Sequence, residues 1–178
     1  FKSMDEMDVT HIVEVMKNEA LTLIRHPQAT GEHHGLPPVC VKVWIESGVY
    51  LVDGSFILPK LTWSAVHEPG MELSRKLNLS QGSPEQLDLL DVCRVKEMWS
   101  INRDLYPFAR ADRSFLIQTQ EEEFLFETRS RAERDRIVDA MKLLIARLAS
   151  LLMLRDLRAV EEFFGCGNVP GEAPSWAR

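Results

Sequence analysis

Phe115-Leu116-Ile117-Gln118-Thr119 and Phe124-Leu125-Phe126-Glu127-Thr128 are two short alternating runs, separated by Gln120 and the acidic turn Glu121-Glu122-Glu123. Alternation over five residues on each side of a polar turn predicts a β-hairpin. After Ser130 the apolar spacing lengthens to the helical period. Ile137, Met141, Leu144, Ile145, Leu148, Leu151 and Leu152 fall on one face, with Arg134, Asp135, Asp139, Lys142 and Arg147 mostly on the other. A hairpin that feeds one C-terminal helix is a device for closing the open end of a small β-barrel, so this stretch points to a binding module. Unbroken to Phe164, the helix would span ~50 Å at ~1.5 Å per residue. Gly165 and Gly167 stop it, and residues 168–178 have the composition of a loose tail.

Upstream, the apolar residues of positions 5–25 recur mostly at three- and four-residue spacing, which predicts an amphipathic helix ended by Pro27. Ser3 and Glu6 are placed to form a capping box. Residues 28–38 read as a linker. From Val39 the period is two: Val39, Val41, Val43 and Ile45 predict one strand, residues 49–52 a second beyond Gly48, and residues 60–66 a third after the turn signal Asp53-Gly54. Residues 67–84 form a long loop with a short element at 71–79. Residues 87–92 and 94–98 are two more strands, and residues 102–113 an irregular loop. The expected domain spans residues 39–165, preceded by a helix and linker over 1–38 and followed by a flexible tail over 166–178.

Composition narrows the function. A hydrophobic share of 45% in 178 residues supports a sizeable core, and a formal charge of −6 opposes nucleic-acid binding. There is no apolar run of ~18 residues and no secretory leader pattern, so a cytoplasmic protein, at most peripheral to a membrane, is expected. Cys40, Cys93 and Cys166 lie far apart, and buried reduced thiols are the expectation. No nucleophile triad, glycine-rich phosphate loop or Gly-x-Ser-x-Gly elbow is present, so neither an enzyme nor a cofactor is expected. His33 and His34 are adjacent in the linker and read as solvated rather than metal-binding, so no metal is expected. The turn at residues 121–123 reads as solvated too.

The strand order followed by one helix resembles a pleckstrin homology (PH) domain. Ser83-Pro84-Glu85-Gln86-Leu87, Asp91-Val92 and Val95-Lys96-Glu97-Met98 resemble the fourth and fifth strands of the phospholipase C type. Tyr106-Pro107-Phe108-Ala109-Arg110 and Arg113-Ser114-Phe115 resemble the approach to the sixth strand, and Ser130-Arg131-Ala132-Glu133 the link into the helix. Ile137 stands where the family usually has a tryptophan. The resemblance implies a mainly β fold with flanking helices: an antiparallel barrel of seven strands in two near-orthogonal sheets, capped by the long C-terminal helix, plus an N-terminal helix. It also implies that basic residues for a phosphoinositide would sit at the end of the first strand, in the loop after it and in the second strand. Glu46-Ser47-Gly48 occupies that loop in this reading, so the usual lipid site is degenerate.

Two sets of cations follow as candidate sites. Lys42, Lys60, Arg75 and Lys76 would form a residual patch for an anionic membrane lipid, a phosphoinositide or phosphatidic acid, if they converge. Arg129, Arg131 and Arg134, with Arg136, crowd the start of the last helix against its dipole, an arrangement suited to a partner protein. Protein contact in recruitment or scaffolding is the favoured function and lipid binding the alternative. The apolar stripes of the N-terminal and C-terminal helices also leave room for a homodimer.

Overall fold

The computed structural model describes residues 8–30, 36–66 and 85–165. The elements in chain order are α1 (Val9–Asn18), β1 (Leu21–His26), β2 (Val39–Glu46), β3 (Val49–Tyr50), β4 (Phe56–Ile57), β5 (Lys60–Ala65), β6 (Glu85–Asp88), β7 (Arg94–Glu97), β8 (Ser114–Gln118), β9 (Glu123–Glu127), α2 (Arg131–Met153) and α3 (Leu157–Phe164). Seven strands form one antiparallel sheet in the order β6-β5-β2-β1-β9-β8-β7, while β3 and β4 make a separate hairpin. Sheet and C-terminal helix together give a PH-like fold. The expected barrel closure and division into two sheets are not seen: among the described residues β6 and β7 remain edges of one open sheet. The gap is covered instead of bonded. The chain crosses from β6 to β7 through the 3-10 turn Leu89–Asp91, and Leu89 and Val92 join the core beneath α2.

One strand was concealed by a helical pattern. Residues 21–25 were expected to finish the N-terminal helix; with His26 they are β1, which pairs with β2 on one side and β9 on the other. α1 ends at Asn18, and the next residues alternate, with Leu21 and Leu23 buried and Ile24 exposed. Leu21, Leu23 and Ile24 satisfy either period, so spacing alone could not separate them. Residues 49–52, expected in the main sheet, contribute only the two-residue β3. At the hairpin tip Gly54 takes φ 82°, and Ser55 donates from its N–H to Asp53 Oδ1 at 2.9 Å. That is the Asp53-Gly54 turn the sequence signals.

The inner face of the sheet carries Leu23, Val43, Leu61, Trp63, Phe115, Ile117 and Phe126, all buried against Ile137, Met141, Leu144 and Leu148 of α2. Trp63 packs edge-on against Phe124 and Phe126 at centroid distances of 5.1 and 5.5 Å. Leu125 does not join them. It lies on the outer face with Leu116, where Tyr106, Ala109, Met98 and Ile101 cover both in a second small core. α1 buries Ile12, Val13 and Met16 in the main core; Asp8 caps it by accepting from the His11 N–H at 2.8 Å. α2 stops at Met153 rather than running to Phe164; Arg155 adopts φ 54°, and α3 turns back to bury Val160 and Phe164. Cys40 and Cys93 are exposed rather than buried. The short element at 71–79, the capping pair Ser3 and Glu6, His33, His34 and Cys166 lie outside the described residues.

Because Leu144 is wholly buried between α2 and the sheet, Leu144→Ala should cost about 2 to 5 kcal/mol in chemical denaturation. Removing residues 1–18 should lower the melting temperature by uncovering the α1 seat on α2. Removing residues 1–26 should abolish cooperative unfolding altogether, since β1 bridges β2 and β9. Equal melting of the two truncations would refute the placement of β1.

Candidate functional site

The start of α2 is assembled by local hydrogen bonds. Ser130 Oγ accepts from the Glu133 N–H at 3.1 Å, and Glu133 Oε2 accepts from the Arg129 N–H at 3.1 Å, which is capping-box chemistry displaced by one residue. Arg134, only 1% exposed, then reaches away from the helix. Its Nη1 donates to the carbonyls of Met98 (3.1 Å) and Ala111 (3.2 Å), and its Nε to Asp135 Oδ1 (2.8 Å). These bonds clasp both ends of the connection between β7 and β8 to the helix. Arg134 therefore fastens this connection to the start of the helix.

The same connection is fixed at a second point. Glu127 of β9 is buried and accepts from Arg113 Nη2 (2.9 Å), from the Arg110 backbone N–H (3.1 Å) and from His26 Nε2 (2.9 Å). Burial lowers the pKa of His26 from its ordinary 6.5, outweighing the upward pull of the Glu127 carboxylate. Neutral His26 thus donates one hydrogen bond to a carboxylate whose charge is met by Arg113.

Between these anchors lies an open hollow of about 360 Å³, lined by Met98, Trp99, Arg103, Arg110, Ala111, Asp112, Arg131 and Arg134. Trp99 is 77% exposed. The guanidinium carbons of Arg131 and Arg134 stand 5.2 and 5.9 Å from its ring centroid, within cation–π range. Arg103 donates from Nη1 to the carbonyls of Pro107 and Ala109. Among the described residues, the side chains of Arg103, Arg110 and Arg131 form no ion pair. The hollow is a preorganised, positively charged cleft with an aromatic wall.

Of the residues singled out for a partner, Arg131 lines the hollow, Arg134 closes its base, and Arg129 is exposed beside the cap. Sequence reasoning missed Trp99, Arg103 and Arg110. The available signal was a lone tryptophan in the polar run Ser100, Asn102, Arg103, Asp104. The lipid set does not assemble among the described residues. Lys42 on β2 pairs with Ser64 on β5, and Lys60 on β5 with Glu46 on β2, which separates the two lysines by four strand residues, about 13 Å. Lys42 donates to Thr22 Oγ1 at 2.7 Å, and Lys60 stands 3.6 Å from Asp88. Arg75 and Lys76 lie outside the described residues. The first strand being β1, the loop after it is residues 27–38, and Glu46-Ser47-Gly48 instead enters the β3–β4 hairpin.

No family model matches this chain, and none of the curated proteins does. A solved structure described as "PH domain from TgAPH" is similar to 84% of this chain over 99% of its own length, at 12% identity and a TM-score of 0.42. Among the described residues no helix is long and apolar enough to cross a membrane, and no group of three or more His, Cys, Asp or Glu is placed to hold a metal ion.

Arg134→Ala should lower stability by about 3 kcal/mol, because two carbonyls lose their donor in a buried position. Arg131→Ala should leave the thermal melt unchanged. His26 adds a pH dependence. Its folded pKa lies below 6.5, so on acidification the unfolded chain takes up the proton first, and stability should fall as pH drops below 6.5. Denaturant titrations from pH 8 to 5.5 should show that slope in the native protein and a flatter one in His26→Gln.

Proposed function

We propose that this chain is a non-catalytic, PH-like interaction module of the cytoplasm that recruits or scaffolds a partner protein through the Trp99 hollow. The observation that carries the reading is an exposed tryptophan with two guanidinium groups of a fastened helix start over its ring. Trp and Arg are the residues that most often dominate protein interfaces, and a clasped loop loses little freedom on binding.

The phosphoinositide site is degenerate in this reading, on the strands as they fold. Arg25, near the end of β1, is ion-paired with Glu85 and lies over Trp63 and Phe124. The loop of residues 27–38 contains neither Lys nor Arg, and Lys42 on β2 is bonded to Thr22. A multiply charged headgroup requires several converging donors. Peripheral binding to anionic lipid through Lys42, Lys60, Arg75 and Lys76 is the alternative, and the separation of Lys42 from Lys60 counts against it.

The test compares two capture experiments. Beads carrying the wild type should retain from cell lysate a set of proteins that beads carrying Trp99→Ala lose, with a truncation cost of about 2 kcal/mol, roughly thirtyfold, once one of that set is purified. Vesicles of phosphatidylserine, phosphatidic acid or phosphoinositides should sediment little of the wild type even at low salt, where exposed charges are least screened. Tight, headgroup-selective sedimentation with an unchanged protein set on Trp99→Ala would overturn the reading.

A further inference from the structure

We infer that the Trp99 hollow recognises a phosphorylated side chain in the partner protein, an inference that rests on the protein-contact reading above. The charge balance of the site carries it. Arg103, Arg110, Arg131 and Arg134 line one cleft, and among the described residues Asp112 is the only carboxylate on its wall. Arg134 is matched by Asp135, with 2.7 Å between Nη2 and Oδ1. Arg103, Arg110 and Arg131 therefore face Asp112 alone, which leaves about two positive charges uncompensated in a chain whose formal charge is −6. A phosphate monoester brings about −1.5 to −2 at neutral pH and three strong acceptor oxygens, against one charge and two oxygens for Asp or Glu. Guanidinium groups match phosphate oxygens in pairs.

The donors are held before the ligand arrives. Arg131 lies over Trp99, and Arg103 is bonded to two carbonyls through Nη1 alone, so its other N–H groups are available to a ligand. The Arg110 backbone is fixed by Glu127. A cleft of about 360 Å³ has room for a phosphorylated side chain. A bilayer is the poorer occupant. Asp112 on the wall is exposed and Asp135, paired with Arg134, half-exposed, and a plane of anionic headgroups would have to approach those carboxylates, whereas one side chain enters between them.

Tryptophan fluorescence and calorimetric titrations of the full chain test this with six probes: phosphoserine-centred and phosphotyrosine-centred degenerate peptide pools, the Glu-centred counterpart of each, inorganic phosphate, and phosphoinositide vesicles. At least one phosphorylated pool should bind about tenfold or more tightly than its Glu counterpart. Arg131→Glu and Arg110→Glu, both at exposed positions, should lose that binding while keeping the wild-type melting curve. Equal affinity for the Glu pools would overturn the phosphoryl inference and leave the protein-contact reading standing. Binding of vesicles without binding of any peptide pool would overturn both. Phosphate or phosphopeptide binding that survives Arg131→Glu and Arg110→Glu would place the anion elsewhere and overturn the inference.

Discussion

The seating of α2 across an open sheet is the constraint on which the rest of the structure depends. With the sheet edges unbonded to each other, the inner face would meet water unless one amphipathic helix covered it. Ile137, Met141, Leu144 and Leu148 do so, each 1% exposed or less. The helix can hold that position only if its first turn is fixed, and the first turn is fixed by Arg134. A buried guanidinium is costly to desolvate, and here three directions of hydrogen bonding offset the cost: Met98, Ala111 and Asp135. Four arginines at a helix N-terminus oppose the helix dipole, so their presence needs a local cause. Arg134 has one in the carbonyls it fastens.

The Trp99 hollow follows from that fastening. The connection from β7 to β8 is long, and unanchored it would present Trp99 and Arg110 in many arrangements. Arg134 grips both of its ends, while Glu127 gathers His26, Arg113 and the Arg110 amide from the opposite side. Neighbours on the helix thus differ in setting: Arg134 and Arg131 sit three residues apart, one buried and the other exposed at the hollow.

The C-terminal half of the fold was legible because its signals are unambiguous. The hairpin alternates cleanly around a charged turn, and the α2 stripe is long enough to fix its period. β1 was not legible, because Leu21, Leu23 and Ile24 follow a genuine helix without Pro or Gly between. That error displaced the loop after the first strand by some twenty residues, and the seven-strand count survived only because residues 49–52 left the sheet as β1 entered it. Sequence also marked the arginine cluster without dividing its roles, since burial of Arg134 is decided by carbonyls far away in the chain. Trp99 and Arg110 carried no periodic signal; tertiary folding alone joins them to Arg131.

Chemical-shift mapping is the most direct measurement of where a ligand engages this protein. In a titration of isotopically labelled full chain with the tightest-binding phosphopeptide, the indole N–H of Trp99 and the guanidinium Nε–H signals of Arg110 and Arg131 should shift together and saturate. Thr22, Lys42 and Lys60, on the outer face of the sheet, should stay unmoved. Shifts confined to Lys42, Lys60 and the loop of residues 27–38, with Trp99 silent, would contradict the account.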